Sequence, residues 1–390
     1  MSATRFETIP RFGLFTAEHD ELRDVVRTFV ERAVRPHVEE WEAAGDFPLR
    51  DVLAQAGTVG LFGAKVEPEY GGTGPDLVAD AVITEELARC GSGGVAASLG
   101  AHKDLAPTYV HRYGTEEQRR RWLVPAVAGE SLGALAITEP GTGSDVAAIQ
   151  TRAIRDGAGW RISGTKTFIT NGDVADFVVV AATSRPDRGR DGISLFVVEP
   201  DSPGLSARRI ETVGWRTSHT AELSFENCAI PPESLLGEEG SGFGSITERF
   251  RWERLVMALS AVSASEATLD MAIAYARARH AFGRPVAKFQ AWRHRFADLA
   301  TEIEAARSLT YHALRRYVAG AEATPEVSMA KWFATELDWR VADEALQVHG
   351  GYGYMMEFPV QRAWRDARLG PIGGGTTEVM KEIIGRSLGL

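Results

Sequence analysis

Three stretches of this chain carry residue types spaced for chemistry. The first is Ala136-Ile137-Thr138-Glu139-Pro140-Gly141-Thr142-Gly143-Ser144-Asp145. Dense in Gly, Thr and Ser, it offers backbone N–H groups and hydroxyls to an anion or to the polar edge of a ring. The same composition also makes an ordinary structural turn. The second runs from Trp160 to Gly172 and sets Phe168 beside the hydroxyls of Thr167 and Thr170 in what reads as a hairpin. Phe168 there is either a core side chain or a flat platform for a cofactor. The third is Trp252-Glu253-Arg254-Leu255, where a carboxylate directly precedes Leu255–Ala264, a run without charge. At the edge of apolar surroundings a carboxyl is desolvated, which raises its pKa towards the range of a base working near neutrality. The alternative is a solvated helix-end glutamate paired with Arg251 or Arg254.

The elements that must position these residues fall into three blocks. Leu22, Val25, Val26, Phe29, Val30 and Ala33 share one face of an amphipathic helix, with Thr16 as N-cap, Glu18 and Asp20 in the first turn, and Pro36 as terminator. Further helices are expected from about Pro48 to Gly60, Asp76 to Arg89 and Thr115 to Ala128, with a turn cluster at Pro68–Gly74. Near Leu132 the pattern changes. Phe177–Val180, Ile193–Val198 and the alternation around Leu223 and Phe225 read as strands, the last stopped by Pro231-Pro232. Helices return at Gly244; Leu255–Ala264 should bury most of its faces, and Phe296, Leu299, Ile303, Ala306, Leu309 and Ala313 form another stripe. The expectation is a mostly α chain with an inserted β-domain: residues 1–131 all-α, 132–243 β, 244–390 a helical bundle.

A chain of 390 residues, 25% charged and with net charge −10, reads as a soluble multidomain protein and argues against broad nucleic-acid or anionic-membrane binding. A local basic pocket for an anion is still allowed. Met1–Phe12 carries three charged residues and no apolar core of a leader peptide, and no uncharged run approaches the roughly 20 residues of a membrane span. Cys90 and Cys228, the only two cysteines, match no metal or disulfide framework, so a reducing, cytoplasmic setting is expected. No Gly fingerprint lies in a βαβ unit, so a Rossmann reading has no support.

In this order and spacing the first two motifs resemble those of the acyl-CoA dehydrogenase family. The resemblance continues through Arg279-His280-Ala281-Phe282-Gly283 with Gln290, then Gln347-Val348-His349-Gly350-Gly351, Arg365-Asp366-Ala367-Arg368 and Gly375-Thr376-Thr377-Glu378, and spans nearly the whole chain. It implies an N-terminal helical domain, a middle β-barrel-like domain and a C-terminal four-helix bundle, assembled as a homotetramer or homodimer. It also implies FAD, bound non-covalently between the middle and C-terminal domains. By motif, Thr138, Gly143 and Ser144 would contact the flavin, its pyrophosphate or the thioester; Phe168, Ile169 and Thr170 would pack on the isoalloxazine. Arg279, Phe282 and Gln290 would reach the cofactor of a neighbouring subunit, with Gln347, Gly350, Gly351, Thr376 and Glu378 lining it. Phe168 stands where many members have Trp, and Ala281 where some have Thr.

The resemblance further implies removal of an α-proton by a carboxylate while the β-hydrogen leaves as hydride, with the thioester carbonyl held in an oxyanion hole. Many members carry the base just before the Gly-Thr of the C-terminal loop, but here that position is Gly374. The long-chain and isovaleryl subgroups carry it in a helical Glu-Arg-Leu, which matches Glu253-Arg254-Leu255, so Glu253 is the expected base. Ser144, Arg254 and Gly375 are expected at the substrate. Lys103 and Asp104, on a helix that lines the acyl pocket in relatives, either face that pocket and favour a short or polar acyl group, or pair away from it. The thioester carrier is coenzyme A or a carrier protein, and electron-transferring flavoprotein is the expected acceptor. A flavin monooxygenase on the same fold, or a non-catalytic thioester-binding protein, are the competing readings.

Overall fold

Polar caps and apolar spacing together explain where the N-terminal helices start and which faces they bury. The computed structural model describes residues 13–390; the segment Met1–Phe12, read above as lacking a leader's apolar core, lies outside the described residues. The helices are α1 (Ala17–Phe29), α2 (Val38–Ala44), α3 (Leu49–Thr58), α4 (Leu77–Leu87), α5 (Gly93–Asp104), α6 (Ala106–Tyr113), α7 (Glu116–Gln118) and α8 (Val124–Val127). The Asp76 carboxylate accepts the Val78 and Ala79 amides at 2.8 and 2.9 Å and opens α4, and Ser92 caps α5. On α1 the expected stripe holds in part: Val26 and Phe29 are buried and Val30 follows them inward, but Val25 is 47% exposed. After Phe29 the helix widens into a π-turn and then a 3-10 turn containing Pro36, which redirects the chain into α2.

Extended backbone occupies β1 (Gly133–Ala136), β2 (Arg152–Asp156), β3 (Gly159–Thr170), β4 (Phe177–Thr183), β5 (Ile193–Val198), β6 (Leu205–Arg209), β7 (Thr220–Ile230) and β8 (Leu235–Leu236). They form one sheet in the order β6-β7-β3-β2-β4-β5-β8, with β1 added parallel to β4. β4 and β5, apolar but for Thr183 and Ser194, are buried on both faces. Trp160–Gly172 is not a hairpin: Gly159–Thr170 is the single strand β3, antiparallel to β2 on one side and β7 on the other. The Gly and Thr that suggest a turn instead mark two irregularities in the pairing with β7, at Ile162/Gly164 and Lys166/Ile169.

The remaining elements are α9 (Gly242–Ala278), β9 (His280–Ala281), β10 (Arg284–Pro285), α10 (Gln290–Val318), α11 (Thr324–His349), α12 (Pro359–Ala367) and α13 (Thr377–Ser387). α9, α10 and α11 share a core of Leu255, Leu259, Val262, Leu299, Ile303, Leu314 and Val341, and α13 packs along α11. By length and composition α9 is able to cross a membrane, yet half of its apolar window is buried inside the protein, as in a core helix. Asp366 on α12 ties the three layers together. Its carboxylate accepts the Gly93 amide at 2.9 Å and the Trp215 amide at 2.7 Å, so one side chain fixes the start of α5 and the loop before β7 relative to the bundle. Burial, with Glu42 nearby, pushes its pKa up to about 6.

Candidate active site

Glu253 lies in the third turn of α9, and its setting is that of a base. It is only partly exposed, the Tyr109 hydroxyl donates to its Oε1 at 3.1 Å, and neither neighbouring arginine pairs with it. Arg251 bridges to Glu322 at 3.1 Å, while Arg254 donates from Nε to the Gly374 carbonyl at 3.3 Å. Burial pushes the Glu253 carboxyl up to about 7, against the opposing pull of Arg249, the Tyr109 hydrogen bond and Arg254. A carboxyl poised there takes a proton readily and is still ionised in a good fraction of molecules at neutral pH.

The loop Gly370–Thr376 faces this turn of α9. Lys331, buried on α11, donates to the carbonyls of Gly370 at 2.8 Å and Gly375 at 2.6 Å, and together with Arg254 it pins the loop. Among the described residues the Gly374 and Gly375 amides donate to no protein acceptor, which leaves them for a ligand oxygen. Gly374 has φ +62°, and a Cβ built there would approach Met257 Sδ to 2.3 Å. Both the left-handed backbone and the contact with Met257 oppose a side chain there. Gly374→Glu is therefore expected to lower the melting temperature and to restore no turnover to Glu253→Gln, whereas the same change with Met257→Gly should recover some of each; thermal melts and initial rates check it.

A second cluster is built where β1 and β3 end. The Thr167 amide donates to the Thr138 carbonyl at 2.9 Å, joining the two strand ends. Beneath them the buried Lys166 donates to the Ile137 carbonyl and to Glu139 Oε1, each at 2.8 Å, and Glu139 also accepts the Gln150 and Thr151 amides. Glu139 and Thr142 exchange backbone bonds across Pro140-Gly141, so the loop carrying Gly143 and Ser144 is braced, while those two residues are exposed. In the irregular stretch of β3, Phe168 takes φ +60°, unusual for an aromatic, and its ring is 66% exposed. The irregularity turns the ring out of the sheet beside Thr170. It also corrects one assignment: Ile169 is 2% exposed and packs in the sheet core, so its side chain does not face the cleft. An outward aromatic face, free hydroxyls and open glycines suit a flavin with its phosphates.

The remaining motif residues form a third group at the far end of α9. Phe282 and Gly283, both at positive φ, make the two-residue turn between β9 and β10, and the Phe282 ring is 96% exposed. The Arg279 guanidinium lies 5.6 Å from the Tyr352 ring centroid, which brings it beside Gly350 and Gly351; Gln347 is exposed on the last turn of α11, and Gln290 meets His294 at 3.4 Å. Thr376 instead caps α13 through Val379, with Glu378 exposed in its first turn, next to the pinned loop. Arg279 lies 26 positions beyond Glu253 on one continuous helix, about 39 Å away at 1.5 Å per residue.

Lys103 and Asp104 do not stand free in a pocket. With Lys65 and Asp80 they form a buried quartet: Lys103 Nζ meets Asp80 at 2.7 Å and Asp104 at 2.9 Å, Lys65 meets Asp80 at 3.0 Å and also Asp104, and Trp252 Nε1 donates to Asp104 at 3.0 Å. The Tyr109 partner of the base and the Lys166–Glu139 brace were not anticipated from sequence. No local pattern marks them, since Tyr109 and Glu253 are 144 residues apart.

Comparison with known proteins agrees with this layout. Residues 16–130 match the acyl-CoA dehydrogenase N-terminal domain, 134–228 its middle domain and 240–389 its C-terminal domain. The long-chain specific acyl-CoA dehydrogenase of Sus scrofa mitochondria is 41% identical over 99% of this chain and 90% of its own length. The short-chain specific acyl-CoA dehydrogenase of Clostridium acetobutylicum is 38% identical over 95% and 97%. Among solved structures, an acyl-CoA dehydrogenase from Geobacillus kaustophilus superposes with TM-score 0.94 at 43% identity, covering 97% of this chain and 100% of that one. A glutaryl-CoA dehydrogenase from Mycobacterium smegmatis in complex with FADH2 gives 0.90 at 29%, covering 96% and 95%.

Proposed function

The chain belongs to the acyl-CoA dehydrogenase family, FAD-dependent oxidoreductases that convert an acyl-CoA into its trans-2-enoyl-CoA, and on that premise we propose that Glu253 is its base, as in the long-chain and isovaleryl subgroups. The observation that carries the assignment is the pairing of a partly buried, unbridged glutamate whose pKa is pushed up to about 7 with a glycine at 374, which supplies no carboxylate and whose left-handed backbone disfavours one. Glu253 takes the α-proton onto a carboxylate oxygen. The Gly374 and Gly375 amides, held by Lys331 and Arg254, are placed to receive the thioester oxygen as negative charge develops on it. Bound FAD would supply the acceptor for the β-hydrogen and its electron pair. Thr138, Gly143, Ser144, Phe168 and Thr170 would hold it, the Phe168 ring by stacking and the braced loop by its amides and hydroxyls.

The 39 Å separation along α9 supports a homo-oligomer, a homotetramer in this family. Arg279 closes the end of α9 far from Glu253, with Phe282 three residues beyond it and Tyr352, next to Gly351, against its guanidinium, so it and the other motif residues Gln290, Gln347, Gly350 and Gly351 would serve a neighbour's cofactor. Electron-transferring flavoprotein is the proposed acceptor. A cytoplasmic setting is proposed on the two free, buried cysteines, of which Cys90 has its thiol pushed up to about 11 by burial. The test is anaerobic addition of acyl-CoA esters to the purified flavoprotein. Flavin bleaching is expected, with kcat/KM rising as pH climbs through about 7 because Glu253 must be ionised to accept the proton. A flavin that no thioester bleaches would overturn the reading, as would a rate that falls across that range.

A further inference from the structure

A cavity of about 280 Å3 opens between α5, α6 and α9, one helical turn from the base. Of the six lining residues that are cations or can become so, His102 donates to the Ala126 carbonyl and burial pushes its pKa down to about 4, so it stays neutral; of the other five, four have a carboxylate of their own. Lys65 and Lys103 are held by Asp80 and Asp104, His111 meets Glu67 at 2.7 Å, and Arg112 meets Glu248 at 3.4 Å. The fifth, Arg249, has no ion pair and no hydrogen bond among the described residues, and its Nε is buried without an acceptor. Arg249 is partly buried, and a donor of a charged group shut off from water without an acceptor is costly. Its planar fork fits a carboxylate in particular.

Arg249 stands four residues before Glu253, so the two share a face of α9. A thioester whose α-carbon meets Glu253 and whose chain runs along that face ends beside the guanidinium. An alkyl chain there would cover Arg249 without pairing it, whereas a chain ending in a carboxylate would complete it. We infer that Arg249 selects an acyl thioester bearing a second, anionic carboxylate at its far end. The inference rests on the dehydrogenase reading above and names its substrate class.

The test uses the holoenzyme and matched pairs of coenzyme A esters, from butanoyl and butanedioyl to decanoyl and decanedioyl, with anaerobic bleaching and kcat/KM as readouts. At one length or more the dioyl ester is expected to be preferred at least about 10-fold, and Arg249→Met to cut that preference by about 10- to 100-fold. Arg249→Lys should restore part of it. The inference is overturned if the monoacyl member of every pair is equal or better. It is also overturned if Arg249→Met slows both members of a pair alike and moves the pH profile to higher pH, which is the behaviour of an arginine that acts only through its field on Glu253. Bleaching by the monoacyl esters alone would leave the dehydrogenase reading intact, and bleaching by no ester at all would remove both.

Discussion

Glu253→Gln is expected to lower kcat by about 10²- to 10⁴-fold while the flavin spectrum and the binding of an acyl-CoA ester persist. Glutamine keeps the shape and the hydrogen bond from Tyr109 but has no basicity, so what disappears is proton removal alone. The same variant should be more stable than the wild type above pH 7. A carboxyl whose folded pKa is raised from the ordinary 4.5 to about 7 carries no penalty below pH 4.5, a growing one between the two values, and its full penalty above the higher one. The full shift corresponds to at most about 3 kcal/mol. Melts of the two proteins should therefore coincide near pH 4 and separate towards pH 8, with the variant melting higher. Full activity in the variant would remove Glu253 as base; equal melts at all pH would remove the desolvation argument while leaving the base in place.

How much of this site was legible beforehand depends on how local its cause is. The helix of Glu253, the buried strands β4 and β5 and the three-block order follow from periodicity and turn residues that neighbours in sequence supply. Glu253 itself was legible through the family resemblance, because Glu253-Arg254-Leu255 matches the subgroups with a helical base and Gly374 vacates the alternative position; the uncharged run that follows it gave only modest support. The orientation of Phe168 was not legible. It rests on a residue at φ +60° where β3 and β7 fall out of register, and an aromatic there breaks local preference, so no propensity announces it. The same irregularity turns Ile169 inward, where a smooth reading of the motif had put it on the cofactor. The lone Arg249 was equally hidden, because its character comes from what Asp80, Asp104, Glu67 and Glu248 do for the other cations around the cavity.

Lys103 raises the same issue, and its replacement has the second large expected effect. Read alone, Lys103-Asp104 is a charged pair that either enters the acyl pocket or leaves it. In the fold it is half of a quartet whose other half, Lys65 and Asp80, comes from another part of the N-terminal domain. Two carboxylates share two ammonium groups at 1–8% side-chain exposure. Burial and the neighbouring Asp104 raise the Asp80 pKa, while the two lysines hold Asp104 below the usual carboxylate range. Lys103→Met would leave both carboxylates to Lys65, one negative charge in excess at a site that is almost entirely buried. The expected loss is about 3–5 kcal/mol at neutral pH, the cost of breaking a buried ion pair from one side. The deficit should shrink as pH falls, because either aspartate can then take a proton and restore neutrality. Lys103→Met with Asp80→Asn removes one charge of each sign and should recover much of the loss. Denaturant unfolding of the single and double variants at two pH values measures this. A single variant as stable as the wild type would mean that the quartet contributes little to holding α4 and α5 together.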